Sequence, residues 1–309
     1  MTKNYNKVCF IDNLNKSFGR HQVLRNINIS LEKGSICGIV GANGAGKSTL
    51  LRTIAGVLHR TNGYIFNYTS DVKGNIMLHK NAFIPDVPYF LPGCDIGTMA
   101  KFLASDIDWL KEMCEKFDLN MRKKISKFTR GNKQLSAILL ALSCKPRLLI
   151  ADEPFEGLDP VMRTAVTKLI VDEVQNNEMS VIIASHSLRE LEDLCDCLII
   201  LHKGEIIEQT EMSDLRRSMF KGQIAFSEDY DISAIAAECG FDVLSSKKAD
   251  MLTTFTASGD MDQAEEKLAK LSPVLLNLRP ATLEEIFIQR VSEKGYDYSN
   301  ILGGEADGR

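Results

Sequence analysis

The 309-residue sequence carries 37 Lys and Arg against 41 Asp and Glu, a net charge of −4, with 44% hydrophobic and 25% charged residues. That length and ordinary globular composition predict one large unit plus a smaller one around packed cores. The charge is spread without a basic block, which excludes the clustered Lys/Arg footprint of a nucleic-acid binder, and no apolar run reaches the roughly 18 residues that span a bilayer.

Met1–Lys7 is polar, so no signal peptide is expected and any membrane role is expected to come through a partner. From Val8 to about Glu32, short alternating runs predict strands. Ser35–Val40 is a short apolar run ending at a glycine cluster. From Lys47 the period changes, with Leu50, Leu51, Ile54, Val57 and Leu58 on one helical face. The stretch from about Asp86 to Cys144 reads as mainly helical. Leu148–Ala151 is a buried strand closed by acids, Met162–Val174 a helix, Val181–Ser185 a strand and Leu188–Leu194 a helix. Leu198–Leu201 is a further strand, turning at Lys203-Gly204 into Glu205–Ile207. Apolar strands alternating with helices predict an α/β fold with a mainly parallel sheet covered on both faces.

Composition shifts near Ser218–Gly222. Beyond it the order is strand (Gln223–Ser227), helix (Ile232–Cys239), two strands (Asp242–Ser258), helix (Met261–Leu271) and strand (Val274–Leu278). A last helix begins at Thr282, where Thr282-Leu283-Glu284-Glu285 fits a capping box. This predicts a small C-terminal α+β domain of two layers. The expected organisation is a first domain over 1–218 with a helical subdomain at about 87–145, a second over 219–294, and a polar, Gly-rich tail, 295–309, expected to be disordered. The eight cysteines are scattered, with only Cys195 and Cys197 close together, which predicts reduced, mostly buried thiols in a cytosolic protein rather than a metal site.

The chemistry concentrates at two places. Gly41-Ala42-Asn43-Gly44-Ala45-Gly46-Lys47-Ser48-Thr49 matches G-x-x-x-x-G-K-[ST] in full. Glycines at these positions let the chain wrap so that backbone N–H groups point at phosphate oxygens. Lys47 supplies a cation to the β- and γ-phosphates, Ser48 a hydroxyl ligand for Mg2+, and the helix start a favourable field. The second place is Asp152-Glu153, two carboxylates at the carboxyl end of a buried strand, the edge where open α/β sheets bind ligands. Alone, two acids there serve equally well as caps of the next element. Beside a complete phosphate loop, Asp152 is positioned to hold Mg2+ through its water shell and Glu153 to orient or deprotonate the attacking water.

With these motifs the sequence resembles the ATP-binding cassette (ABC) family over about Val8–Thr210. Phe128-Thr129-Arg130-Gly131-Asn132-Lys133-Gln134 sits where that family's signature belongs, Gly157-Leu158-Asp159-Pro160 resembles its D-loop, His186 its switch histidine, and Phe18 the aromatic that stacks on adenine. The resemblance implies a P-loop NTPase cassette with an antiparallel β subdomain and a helical subdomain, binding ATP and Mg2+. It implies two chains, in a homodimer or heterodimer, sandwiching two ATP molecules. Thr129, Arg130 and Gly131 would then meet the γ-phosphate held by the opposite chain, while His186 holds Glu153 and the water in geometry.

Two departures mark the sequence. Arg130 replaces the first signature glycine, as in variants from the family's drug and peptide exporter branch. No Gln occurs between Gln22 and Gln134, and in Phe83-Ile84-Pro85-Asp86 the Q-loop place falls to Asp86, whose oxygens can still serve a hard cation. Arg279–Phe287 resembles the accessory piece that follows the cassette in some exporters of antimicrobial peptides and drugs. The implied function is the ATP-hydrolysing subunit of an ABC transporter, exporting drugs, peptides or lipids and energising a separate membrane permease from the cytoplasmic face of the membrane. Nucleic acid is not an expected partner. A soluble ABC ATPase of translation or DNA repair is the alternative, but such proteins carry two cassettes or long coiled-coil or zinc insertions. This sequence has one phosphate loop, no sustained heptads and no set of four cysteines at zinc-binding spacing. A P-loop kinase of small molecules has no reason to carry the Thr129–Gln134 segment or His186.

Overall fold

Alternation between Val8 and Glu32 folds into a long antiparallel hairpin, β1 (Lys7–Phe18) and β2 (His21–Glu32), turning at Gly19-Arg20. One face buries Val8, Ile11, Leu14, Leu24, Ile27 and Leu31, while polar partners face outward. β3 (Ile36–Val40) follows, then α1 (Lys47–Ile54), and β4 (Asn62–Asn67) joins the free side of β1 to give the order β2-β1-β4. The computed structural model describes residues 7–67, 81–103 and 105–293. It divides into two compact units, 1–209 and 210–309. The tail expected to be disordered, 295–309, lies outside the described residues.

β5 (Asn81–Ile84) leads into the helical stretch: α2 (Ile96–Phe102), α3 (Ile107–Lys116), a 3-10 turn (Ile125–Lys127) and α4 (Arg130–Ser143). β6 (Leu148–Asp152), α5 (Pro160–Asn177), β7 (Ser180–Ala184), α6 (Leu188–Glu192), β8 (Cys197–His202) and β9 (Glu205–Glu211) complete the first sheet system. The six-stranded sheet has the order β5-β6-β7-β3-β8-β9, and its neighbours from β5 to β8 run parallel. Every residue of β3, β6, β7 and β8 is buried, as a sheet covered on both faces requires. α1 sets Leu50, Leu51 and Ile54 into the same core as Ile39, Leu148 and Ile182, each such side chain contributing about 2 kcal/mol. Asp95, Asp106, Thr129 and Asp159 cap α2, α3, α4 and α5, each side chain accepting the N–H three residues on, at about 1 kcal/mol apiece.

The turn between β8 and β9 binds two other elements at once. Gly204 N–H donates to the Ala45 carbonyl at 2.9 Å, and its own carbonyl accepts from Arg25 N–H at 2.8 Å.

The second unit contains α7 (Met212–Ser218), β10 (Met219–Ala225), α8 (Ile232–Cys239), β11 (Asp242–Ala249), β12 (Leu252–Ser258), α9 (Met261–Lys270), β13 (Leu275–Pro280) and α10 (Leu283–Glu293). Its antiparallel sheet runs β11-β12-β10-β13. One face carries Phe220, Ile224, Phe255 and Ala257 against Ile232 and Ala236 of α8 and Ala264 and Leu268 of α9, a two-layer core. Phe220 meets Phe241 edge-on at 5.4 Å between ring centroids, the preferred arrangement for opposed quadrupoles. The capping box forms: Thr282 N–H donates to Glu285 Oε2 at 2.9 Å and Glu285 N–H to Thr282 Oγ1 at 3.3 Å.

The pattern of the sequence misses β4, β5 and α7. All three are short and lack the continuous apolar run that marks β3, β6 and β7. All eight cysteines are free; six are buried, and Cys94 and Cys144 are partly exposed.

Candidate functional site

The segments leaving β3, β6 and β7 meet at the carboxyl edge of the sheet, where adjacent parallel strands diverge. They enclose a cleft of about 600 Å³ lined by residues 42–49, Asp86, Asp152, Glu153, Glu156 and His186, with His21 and Val23 from β2 as a further wall.

The phosphate loop owes its shape to its glycines. A Cβ on Gly41 would lie 2.2 Å from the Leu201 carbonyl oxygen, and Gly46, at φ 108°, precedes α1 in a region closed to most L-residues. Lys47, the first residue of α1, is 8% exposed, and its Nζ donates to the Gly41 carbonyl at 2.6 Å. Burial lowers its pKa, an effect that the charges of Glu153 and Asp152 partly offset. Its ammonium therefore sits inside the cleft, across from the acids of β6.

Asp152 ends β6 at 1% exposure, and its Oδ2 is buried without a hydrogen-bond partner. A lone buried carboxylate oxygen is costly unless a ligand meets it. The hydroxyl of Ser48 and the carboxyl of Asp86 line the same cleft. Among the described residues no group of three or more His, Cys, Asp or Glu converges on a metal position. The donors that are present, Asp152 Oδ2, the Ser48 hydroxyl and the Asp86 carboxyl, are all oxygens and fit a hard cation that shares its shell with water and phosphate oxygens, as Mg2+ does.

Glu153 takes φ 49°, a left-handed conformation for a residue with a Cβ. Its N–H donates to Ala184 O of β7 at 2.9 Å. The turn aims its carboxylate at His186: Oε2 accepts from Nδ1 at 2.8 Å and from the backbone N–H at 3.3 Å. Burial raises the Glu153 pKa, and His186 and Lys47 pull it partly back. A carboxylate with raised basicity, oriented by a histidine, is equipped to take a proton from water.

Burial likewise raises the pKa of Asp86, reinforced by a hydrogen bond to Glu156 and the charges of Glu156 and Asp152, while Arg130 acts in the opposite direction. Arg130 reaches Glu156 at 2.7 Å.

Of the residues singled out from the sequence, the structure thus gathers Ala42–Thr49, Asp86, Asp152, Glu153 and His186 around one cleft. Gly41, which opens the loop and accepts from Lys47 Nζ, is not among the lining residues. Thr129 caps α4 by accepting from Asn132 N–H at 3.2 Å, and Asp159 caps α5 by accepting from Met162 N–H at 2.9 Å. Neither these two nor Arg130 and Gly131 are among the lining residues. Phe18 is also outside the lining; its exposed ring lies under the Lys16 ammonium, 4.6 Å from the centroid. Its register partner across the turn, His21, faces the cleft instead. Sequence reasoning passed over His21, Val23 and Glu156. The signal for the first two was present: strand alternation puts 21 and 23 on one face. No comparable signal marked Glu156.

The chain is similar to several known proteins. The sequence profile of the ABC transporter family matches residues 24–156. The lantibiotic transport ATP-binding protein SrtF of Streptococcus pyogenes is 30% identical over 225 residues, covering 71% of this chain and 98% of that protein. The ABC transporter ATP-binding protein YtrB of Bacillus subtilis (strain 168) is 27% identical over 289 residues, covering 91% of this chain and 97% of that protein. A solved ATP-binding subunit of an ABC transporter shares the fold at TM-score 0.62 and 24% identity, over 68% of this chain and 92% of that one. A phosphate loop, an acid strand and an oriented Glu–His pair at one sheet edge, in a chain this similar to such proteins, place it in the family of ABC transporter ATP-binding proteins, which are ATPases.

Proposed function

We propose that the chain binds Mg-ATP in this cleft, pairs with a second ATP-binding subunit across two nucleotides, and energises export through a membrane permease on a separate polypeptide at the cytoplasmic face of the membrane. The observation that carries the reading is the 2.8 Å pairing of Glu153 with His186 in the same cleft as Lys47 and the unpartnered Asp152 Oδ2. No helix among the described residues is long and apolar enough to cross a membrane. The lantibiotic transporter similarity and the basic Arg130 support export of a peptide, drug or lipid over import.

In this reading the amides of residues 42–48 and the Lys47 ammonium hold the β- and γ-phosphates. Mg2+, when bound, neutralises developing charge on the phosphate oxygens; Ser48, Asp152 and Asp86 are the residues that would hold it, directly or through water. Glu153 accepts the proton of the attacking water, and His186 fixes the carboxylate in the orientation that lets it do so. Thr129, Arg130, Gly131 and Asp159 serve the nucleotide of the opposite subunit. Phe18 and His21, opposite each other at the hairpin end, flank the adenine. ATP bridging two subunits favours the closed pair by differential contact, and hydrolysis removes the bridge.

The test is turnover and binding measured together. Glu153→Gln should keep Mg-ATP affinity and lose about 100-fold or more in kcat, with and without the permease. Undiminished hydrolysis by that variant would remove Glu153 from the role of base.

A further inference from the structure

The two departures from the family pattern, Asp86 and Arg130, lie on different elements: one follows β5, the other opens α4. They meet on a single side chain. Glu156, in the turn between Glu153 and α5, accepts Arg130 Nη2 on its Oε1 at 2.7 Å and lies close enough to the Asp86 carboxyl to raise its pKa. The backbone is fitted to this contact. A Cβ on Gly131 would stand 2.5 Å from the Gly157 carbonyl oxygen, and one on Gly157 only 3.3 Å from Arg130 Cγ. The first turn of α4 is thus seated on the Glu156–Leu158 turn of its own chain.

Charge makes the contact consequential. Asp86, Asp152, Glu153 and Glu156 all line a cleft whose proposed ligand, Mg-ATP, is still a net anion after the metal's charge is counted, and among its described lining residues only Lys47 is a permanent cation. A glutamine at position 86 would add no charge; an aspartate adds one to an already acidic wall. The guanidinium of Arg130 sits on the Glu156 half of the carboxyl pair, and its field reaches Asp86. Its side chain is 65% exposed and that of Glu156 36%, so the ion pair adds little to folding stability.

We propose that Asp86, Glu156 and Arg130 form one unit in which Arg130 is a positioning residue, holding and neutralising the carboxyl pair so that an acid can occupy position 86 without repelling the phosphates of the bound nucleotide. This rests on the nucleotide site proposed above. Two departures that look independent in the sequence are then one compensated change, and Glu156 is the residue that joins them.

A double-mutant cycle on the full-length chain tests it, with Mg-ATP affinity read by fluorescent-nucleotide titration and KM and kcat measured separately. Arg130→Gly, which restores the signature glycine, should weaken affinity roughly fivefold in the unaltered background, with KM rising more than kcat falls and the thermal midpoint unchanged. In the Asp86→Gln, Glu156→Gln background the same substitution should weaken affinity by no more than about half that factor, the remainder being its contact with the opposite subunit's nucleotide. Arg130→Lys should retain affinity, because it keeps the charge. An equal effect in both backgrounds would show that Arg130 serves only a partner's nucleotide and would overturn the proposal, as would no effect in the unaltered background. Failure of the unaltered chain to bind Mg-ATP would instead remove the nucleotide site itself, and the proposal with it.

Discussion

At the scale of single residues, Glu153 concentrates the cost of the site. Its left-handed backbone, φ 49°, costs about 1 kcal/mol or more in a residue with a Cβ, and the cost is held by the bond from its N–H to Ala184 O on the neighbouring strand. Burial raises its carboxyl pKa above the ordinary 4.5, and His186 restrains the rise. Two consequences follow in opposite directions. Ionised Glu153 lowers folding stability at neutral pH; that penalty shrinks as pH falls through the raised pKa and is gone below the ordinary 4.5. With Glu153 in the proposed role of base, activity requires its ionised form, so kcat should decline on the acid side through a pKa above 4.5. His186→Ala removes the group that lowers this pKa and should move the acid limb to higher pH, whereas a purely structural histidine would lower the rate without moving the limb. A pH–rate series on both proteins under saturating Mg-ATP decides between these.

At the scale of elements, α10 shows how one side chain anchors a helix. Burial alone would raise the Glu285 pKa, but hydrogen bonds from Arg279 and Lys221 and from Thr282 N–H overcome it and hold the pKa at about 2. The free carboxyl is near 4.5, so this stability is fully present above that pH and is lost as pH falls from 4.5 towards about 2. Glu285→Gln should cost the second unit about 2 kcal/mol at pH 7, after allowance for partial exposure, seen as faster hydrogen exchange of the α10 amides. The capping half of this arrangement was legible, because Thr282 and Glu285 stand three residues apart. The Lys221 contact was not, since it comes from β10, far away in the chain. The same divide runs through the site. The phosphate loop and Asp152-Glu153 could be read because each is tied to a strand end by local spacing, and His186 because the resemblance to the ABC family singles out a histidine after such a strand. Glu156 could not, because its meaning depends on Asp86 and Arg130 arriving from separate elements. Phe18 and His21 show the intermediate case: strands were foreseen between Val8 and Glu32, but their pairing, and which of two facing residues lines the cleft, depend on strand register and twist.

Across the whole molecule, the cysteines report on packing. Burial pushes the thiol of Cys9 up to about 12 and that of Cys114 to about 11, and the neighbouring thiols of Cys195 and Cys197 are also buried. Thiolate, not thiol, is the reactive species. Alkylation of the native protein at neutral pH should therefore modify Cys94 and Cys144 first and leave the other six until denaturant is added, as peptide mass mapping would show. Rapid labelling of Cys9 or Cys37 would mean that the hairpin opens from the sheet far more often than its packing implies. The turn at Gly204 makes such opening costly. It is bonded at once to Ala45 in the phosphate loop and to Arg25 in the outer hairpin, so neither can shift without breaking a backbone bond or dragging the other. A shift of the phosphate loop would therefore pull on the strand that carries His21 and Val23, so that the antiparallel sheet is tethered to the loop through a single turn.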